Sequence, residues 1–261
     1  MNNGVLPRLL LSALVLLGAC SGGIKQPLEQ TTDVSYIVDP SVKFSITSRD
    51  GTIRIYGSDA PELRVQTVKK AYSAARLEKI SQKVSVQPDS VSITTDFPPA
   101  EKWGLADRSG TVDYTIVLPQ TATITRAELE NGELLVEGIR EGAVHARLGS
   151  GLMFVRNSFS DTDVAVRTGN LTLSYDWWEQ IAFTTAATVR KGNVWTFIPG
   201  EAAFHLSAEA PSGRISNDFS EKEERHSEPP RKIDISVHRG GNASLSIRAE
   251  SGNVRIAETN P

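Results

Sequence analysis

From about residue 34 onward, apolar and polar residues alternate at every second position in short runs interrupted by glycine. Alternation at period two is a strand signal, because successive side chains of a strand point to opposite faces. The runs share one frame: apolar-x-apolar-x-apolar-x-x-Gly-x-apolar-x-apolar. Its glycines are Gly51, Gly132, Gly151, Gly169, Gly192, Gly213 and Gly252. Seven positions before them stand Phe44, Thr125, Val144, Thr162, Thr185, Leu206 and Leu245. Two positions after them stand Ile53, Leu134, Met153, Leu171, Val194, Ile215 and Val254. Asn217, four after Gly213, departs from the inward pattern. The residue before each glycine is mostly a turn former, such as Asp50, Asn131 or Ser150, and glycine supplies a positive φ without steric cost. Each unit therefore predicts strand, tight corner, strand.

From Gly132 onward the glycine spacings are 19, 18, 23, 21 and 39, the last holding a polar insertion over Ser220 to Lys232. A unit of this size cannot bury its apolar face alone, so neighbours must stack. The pattern predicts an all-β domain, a single-stranded β-helix or β-solenoid with coils of about 20 residues. A run of hairpins in a meander or sandwich is the alternative. The first half is less regular. Leu63 to Thr67, Val84 to Gln87, Val91 to Thr95 and Val112 to Leu118 read as strands. One short helix is expected near 70–82, where good helix formers run without Gly or Pro and Tyr72, Ala75, Leu77 and Ile80 could share a face. Pro98 to Gly110 reads as a long loop. The helical region and the segment before it are expected to cap one end of the stack. Gly252 to Pro261 is expected to form the other end, a candidate edge for self-association.

The N-terminus carries a different signal. Arg8 precedes an apolar run, Leu9 to Leu17, too short to span a bilayer and suited to a signal-peptide core. Leu17-Gly18-Ala19-Cys20 then resembles the lipobox of bacterial lipoproteins, and the only cysteine of the chain falls at its last position. The resemblance implies a signal peptide over 1–19, cleavage before Cys20, lipidation of Cys20 and a membrane anchor of more than one acyl chain. Ser21 follows, with no Asp there; by the sorting rule of such lipoproteins this implies the outer membrane in a Gram-negative host. Residues 20–33 read as lipidated cysteine and flexible tether, and 34–261 as the folded domain.

Composition narrows the function. The chain of 261 residues has a net charge of −3 and a pI near 5.9, which does not suggest a nucleic-acid partner. A single cysteine excludes intrachain disulfides and cysteine-rich zinc sites.

The ordered series SRDGTIRIYG, VDYTIVLP, ENGELLVEG, RLGSGLMFV, RTGNLTLS, APSGRISNDF and AESGNVRI resembles the DUF4097 family of putative adhesins, over roughly residues 34–261. The resemblance implies a β-helix-like fold at the cell envelope and a non-enzymatic adhesion or binding role. It brings no catalytic residues and no cofactor.

The candidate chemistry is sparse. His145, His205, His226 and His238 form no spaced ligand pair, and no GxSxG, GxGxxG or P-loop occurs. Asp161, Asp163 and Asp176 are the nearest to a carboxylate cluster and read as turn formers. Asn170, Asn193 and Asn253 follow their glycines and are expected to form a polar ladder that satisfies corner backbone. Aromatic residues are more informative. Trp177 and Trp178 are adjacent, so alternation turns one of them outward, where it could stack on a sugar or enter a partner. Leu135, Phe154 and Trp195 each lie three after a glycine and should align as an apolar stripe on one outer face. It could be covered by the helix or by the loop holding Trp103, or it could bind a partner. The expected partners are the membrane through the anchor, and an envelope protein or a glycan. A scaffold or signalling accessory that binds another envelope protein is the alternative function, and a glycan-active β-helix enzyme is a third reading, for which the sequence offers no convergent site.

Overall fold

The alternating runs form sixteen strands in a computed structural model of which residues 26–98, 110–219 and 230–259 are described. In chain order these are β1 (Leu28–Ile37), β2 (Lys43–Ser58), β3 (Glu62–Ala71), a helix α1 (Ala74–Lys79), β4 (Ser81–Val86), β5 (Ser90–Asp96), β6 (Thr111–Pro119), β7 (Thr123–Glu137), β8 (Val144–Arg156) and β9 (Thr162–Ser174). Then come β10 (Phe183–Lys191), β11 (Val194–Pro199), β12 (Phe204–Glu209), β13 (Ile215–Asn217), β14 (Lys232–Val237), β15 (Ala243–Ser251) and β16 (Val254–Thr259). The fold is nearly all β, in an open sheet.

Each long strand changes its parity at its glycine. In β2, Phe44, Ile46 and Ser48 are buried, then Ile53 and Ile55. A straight strand would keep one parity, so the chain turns at the corner and both halves face the same core. Neighbours stack in parallel and in register: Gly51 lies beside Gly132, Gly132 beside Gly151, and Gly151 beside Gly169. A β-carbon on Gly151 would lie 1.8 Å from the Gly132 carbonyl oxygen, and on Gly169 1.8 Å from that of Gly151. These corners admit glycine alone. Along one face the order is β4-β5-β2-β7-β8-β9-β10-β15-β12-β14. Along the other it is β1-β3-β6-β2-β7-β8-β9-β11-β16-β13. Phe44, Ile53, Tyr114, Ile116, Leu134, Phe159 and Phe204 are among the fully buried side chains of the core between them.

The C-terminal strands do not end the stack. β15 pairs with β10 on one side and β12 on the other, and β16 lies between β11 and β13. The segment 243–259 thus occupies an interior slot, and Gly252 to Thr259 is not the free edge expected from its place in the chain. The asparagine ladder follows the same order. Asn193 N–H donates to Asn170 Oδ1 at 3.1 Å, Asn253 N–H to Asn193 Oδ1 at 3.0 Å, and Arg214 N–H to Asn253 Oδ1 at 3.0 Å. Each side chain satisfies the corner backbone of the next unit.

Three further expectations are adjusted. Leu28 to Asp33, read as tether, are strand: β1 pairs antiparallel with β3, and Asp33 accepts a forked hydrogen bond from Arg64. That guanidinium holds the Asp33 carboxyl below its ordinary pKa. Thr125 is exposed; the register slips between Phe44 and Ser45, so that Ile124 takes the inward place and Thr125 is left over in a bulge. Its hydroxyl donates to the Phe44 carbonyl at 3.0 Å. The helix lies where it was expected. Ser73 caps it by accepting from Arg76 N–H, and Ile80 at its end is buried. Tyr72 and Ala75, expected on its apolar face, are exposed. Asn217 marks the end of β13, where its side chain accepts from Phe219 N–H at 3.2 Å.

Candidate functional site

The in-register stack aligns outward side chains into rows, and one row carries the apolar stripe. Leu135 pairs with Phe154, Phe154 with Thr172, and Thr172 with Trp195, while Arg54 and Arg255 flank the row. Leu135 and Phe154 are half-buried among their neighbours; Trp195 is 38% exposed. Phe197, two residues on along β11, points the same way and is 37% exposed. Leu152 adds a further exposed apolar side chain on the corner side of Phe154. The helix does not cover this row: it packs against β3 and β1. Trp103, the other expected cover, lies outside the described residues, as do Cys20 and His226.

The two adjacent tryptophans lie in the irregular segment after β9, outside any strand, so strand alternation does not set their directions; they nevertheless point apart. Trp178 turns into an aromatic cluster, with ring centroids 5.3 Å from Tyr175, 5.6 Å from Phe183 and 5.4 Å from Phe204. Its indole nitrogen is buried. It is packing, and its expected place on a binding surface is corrected. Burial in the same cluster pushes the Tyr175 phenol up to about 12, while its hydroxyl meets Thr185 Oγ1 at 3.3 Å. Trp177 turns outward and is 44% exposed.

Trp177 is held firmly despite its exposure. Its indole N–H donates to Glu179 at 3.0 Å, and Arg140 pairs with that carboxylate at 2.5 Å. The guanidinium carbon of Arg140 lies 5.9 Å from the centre of the ring, within cation–π range. Phe159 packs 5.7 Å away. Beside Trp177 opens a pocket of about 350 Å³ lined also by Ser174, Asp176, Phe197, Pro199, Glu201 and Thr259. Asp176 at its edge accepts from Asn157 at 2.9 Å and from Arg156 at 3.3 Å. The sequence pointed to the tryptophan pair and the stripe separately. The pocket and Phe197, which join them, were not foreseen; the signal was the exposed parity of Phe197, two residues after Trp195.

The remaining candidates do not converge. Asp161 accepts from the Thr184 backbone and hydroxyl, Asp163 pairs with Arg147, and Asp176 is held as above. His145 lies 3.8 Å from Asp163, His205 3.0 Å from Asp234, and His238 meets the Ala202 carbonyl at 3.0 Å. Among the described residues no cluster of His, Cys, Asp and Glu has the form of a metal site. A shallower groove of about 590 Å³ runs along the outside of the other face, beside the corners. Its arginines, Arg49, Arg147, Arg167 and Arg190, are interleaved with Glu128 and Glu130. Arg49 and Arg147 are paired with Asp50 and Asp163.

No family model matches this chain, and no curated protein matches it. Solved structures do. A "putative cell adhesion protein" from Clostridium sporogenes is similar over 90% of this chain and 100% of its own, with a TM-score of 0.52 at 16% identity. A "putative adhesin" from Bacteroides fragilis is matched over 87% of this chain and 97% of its own, with a TM-score of 0.26 at 12% identity. Another from Parabacteroides distasonis is matched over the same shares, with a TM-score of 0.28 at 10% identity. The likeness to the Clostridium protein is one of fold; the two lower scores carry no argument.

Proposed function

We propose that this chain is a lipid-anchored, non-enzymatic binding module of the bacterial cell envelope, adhesin-like in role, with a β-solenoid domain of the DUF4097 kind. The observation that carries the binding role is the aromatic surface of one outer face: Trp195 stands in the row of Thr172, Phe154 and Leu135, and Phe197, two residues along β11, borders the pocket it shares with Trp177. A soluble domain gains nothing from exposing such side chains, and contiguous exposed apolar surface marks a site of contact. The repeated corner, the constant inward positions and the parallel in-register pairing support the solenoid reading. The lipobox-like LGAC ending in Cys20 supports the anchor, and Ser21 supports the outer membrane if the host is Gram-negative.

The anchor is tested by fractionation. Cys20→Ser is expected to move the protein from the membrane pellet to the soluble fraction and to abolish labelling with radioactive palmitate. Retention in the pellet with label intact would remove the anchor from the proposal.

The binding face is tested in intact cells with a photo-crosslinking residue at Thr172, which lies between Phe154 and Trp195 in the row. An adduct with an envelope component is expected, lost on combining Phe154→Ser with Trp195→Ser. A site on the opposite face, Ser246, serves as the control. Equal adducts from both sites would sink the assignment of the face. The Leu135 and Phe154 half of the row is purely apolar, and this favours a protein partner as the second reading. A protein adduct at Thr172 selects that scaffold or accessory role, and a glycan adduct the adhesin-like one.

A further inference from the structure

We infer that the pocket between Trp177 and Phe197 is a saccharide subsite, which seats one pyranose unit of an oligosaccharide chain. The inference rests on the binding role proposed above and names the ligand class for one end of the aromatic row.

A pyranose ring presents a face of C–H groups and a rim of hydroxyls. A site for it needs a rigid flat apolar platform with hydrogen-bonding groups around the margin. Trp177 is that platform. Its orientation is fixed before any ligand arrives, by Glu179 on its N–H, by Arg140 on Glu179 and near its ring, and by Phe159 packed beside it. A side chain already immobilised loses little entropy on binding, which matters for ligands of low intrinsic affinity. Phe197 supplies a second aromatic wall, and the margin carries the hydroxyls of Ser174 and Thr259 and the carboxylates of Asp176 and Glu201. Carboxylates and hydroxyls together accept from and donate to sugar hydroxyls.

Other occupants fit the lining less well. Two carboxylates at the margin repel an anion. A purely apolar side chain would strip water from them and return no hydrogen bond. Asp176 is already paired with Arg156, which weakens the field available to a cation. The pocket also opens onto an extended track, since Phe197 and Trp195 share a face of β11. Residues two apart on a strand lie about 6.7 Å from each other, so further sugar units have platforms to follow.

The experiment uses the full chain in detergent micelles and ligand-observed NMR saturation transfer. The probes are soluble oligomers of N-acetylglucosamine, glucose, mannose and galactose. At least one oligomer is expected to bind, with transfer strongest to its ring C–H protons and little change on roughly a tenfold rise in salt. Trp177→Ala and Phe197→Ala should each weaken binding about tenfold or more. Arg140→Ala should weaken it less, because it frees the platform without removing it. Both side chains are only partly exposed, so the retained fold of each variant is checked by circular dichroism and thermal unfolding. The inference is overturned if no oligomer binds, if Trp177→Ala binds as the wild type does, or if binding collapses with salt, since stacking and hydrogen bonding of a neutral sugar are not screened. Loss of the Thr172 adduct with sugar binding retained would instead defeat the assignment of the wider face alone.

Discussion

Gly151→Ala is expected to lower the unfolding free energy by about 3 kcal/mol or more, a large fraction of the stability of a typical domain. Two costs combine. Gly151 has a φ of 136°, a backbone region closed to L side chains. The new β-carbon would also lie 1.8 Å from the carbonyl oxygen of Gly132 and 2.8 Å from its carbon. Neither atom can withdraw, because Gly132 is itself packed on Gly51 in the same manner. Gly240→Ala separates the two effects. Gly240 has a φ of 74° but its nearest neighbours stand 3.6 Å away, so only the left-handed cost of about 1 kcal/mol applies. Denaturant unfolding of both variants decides the matter. Equal losses would mean that the glycine stack is not a steric device.

The second large effect concerns the interior slot. A chain ending at Gly241 lacks β15 and β16, and with them the fully buried Leu245, Ile247, Val254 and Ile256. At about 2 kcal/mol for each such side chain, the loss is on the order of 8 kcal/mol, comparable with the whole stability of a domain. It also removes the parallel partners of β10 and β12 together. The truncated chain is expected to become protease-sensitive from about Phe183 onward, while β2, β7, β8 and β9 keep their mutual pairing and remain protected. A synthetic peptide covering 241–261 added in trans should restore protection. Full resistance of the truncated chain without peptide would mean that the slot is closed by something else.

These two cases also show what the residue pattern could and could not convey. The inward positions around each glycine were legible because burial on a strand imposes period two, and a corner that stacks on a corner admits only glycine. The seven units of the same frame are interchangeable in that scheme, however. Every unit offers the same parallel register to its neighbour, so periodicity defines the shape of a unit and not its place in the stack. The 39-residue spacing between Gly213 and Gly252 therefore concealed that the last unit is inserted between two earlier ones. Thr125 departs from the frame for a local reason: one extra residue in a bulge lengthens the count from the inward position to glycine from seven to eight, and Ile124 takes the inward role. The strand over Leu28 to Asp33 was hidden because an edge strand buries little, and its residues are mostly exposed or half-exposed. At the candidate site, Trp177 and Trp178 lie in the irregular segment between β9 and β10, where strand alternation does not apply, yet only one of them points outward. Which one was decided by the aromatic cluster of Tyr175, Phe183 and Phe204, whose members come from three separate segments.

The parallel ladder meets strands of reversed direction at three of its edges: β4 on β5, β14 on β12, and β3 on β6, where β1 reverses once more on β3. The remaining boundary, β13, is only three residues long. A repeat of this kind has no internal limit to its growth, since each unit is a template for the next. Reversal at the boundary supplies the limit. A further unit at those edges would meet β4, β14 or the β3–β1 pair in place of a bare parallel strand. Each of these edges therefore lacks the exposed parallel strand that would template the next unit, and the fourth offers only the three residues of β13.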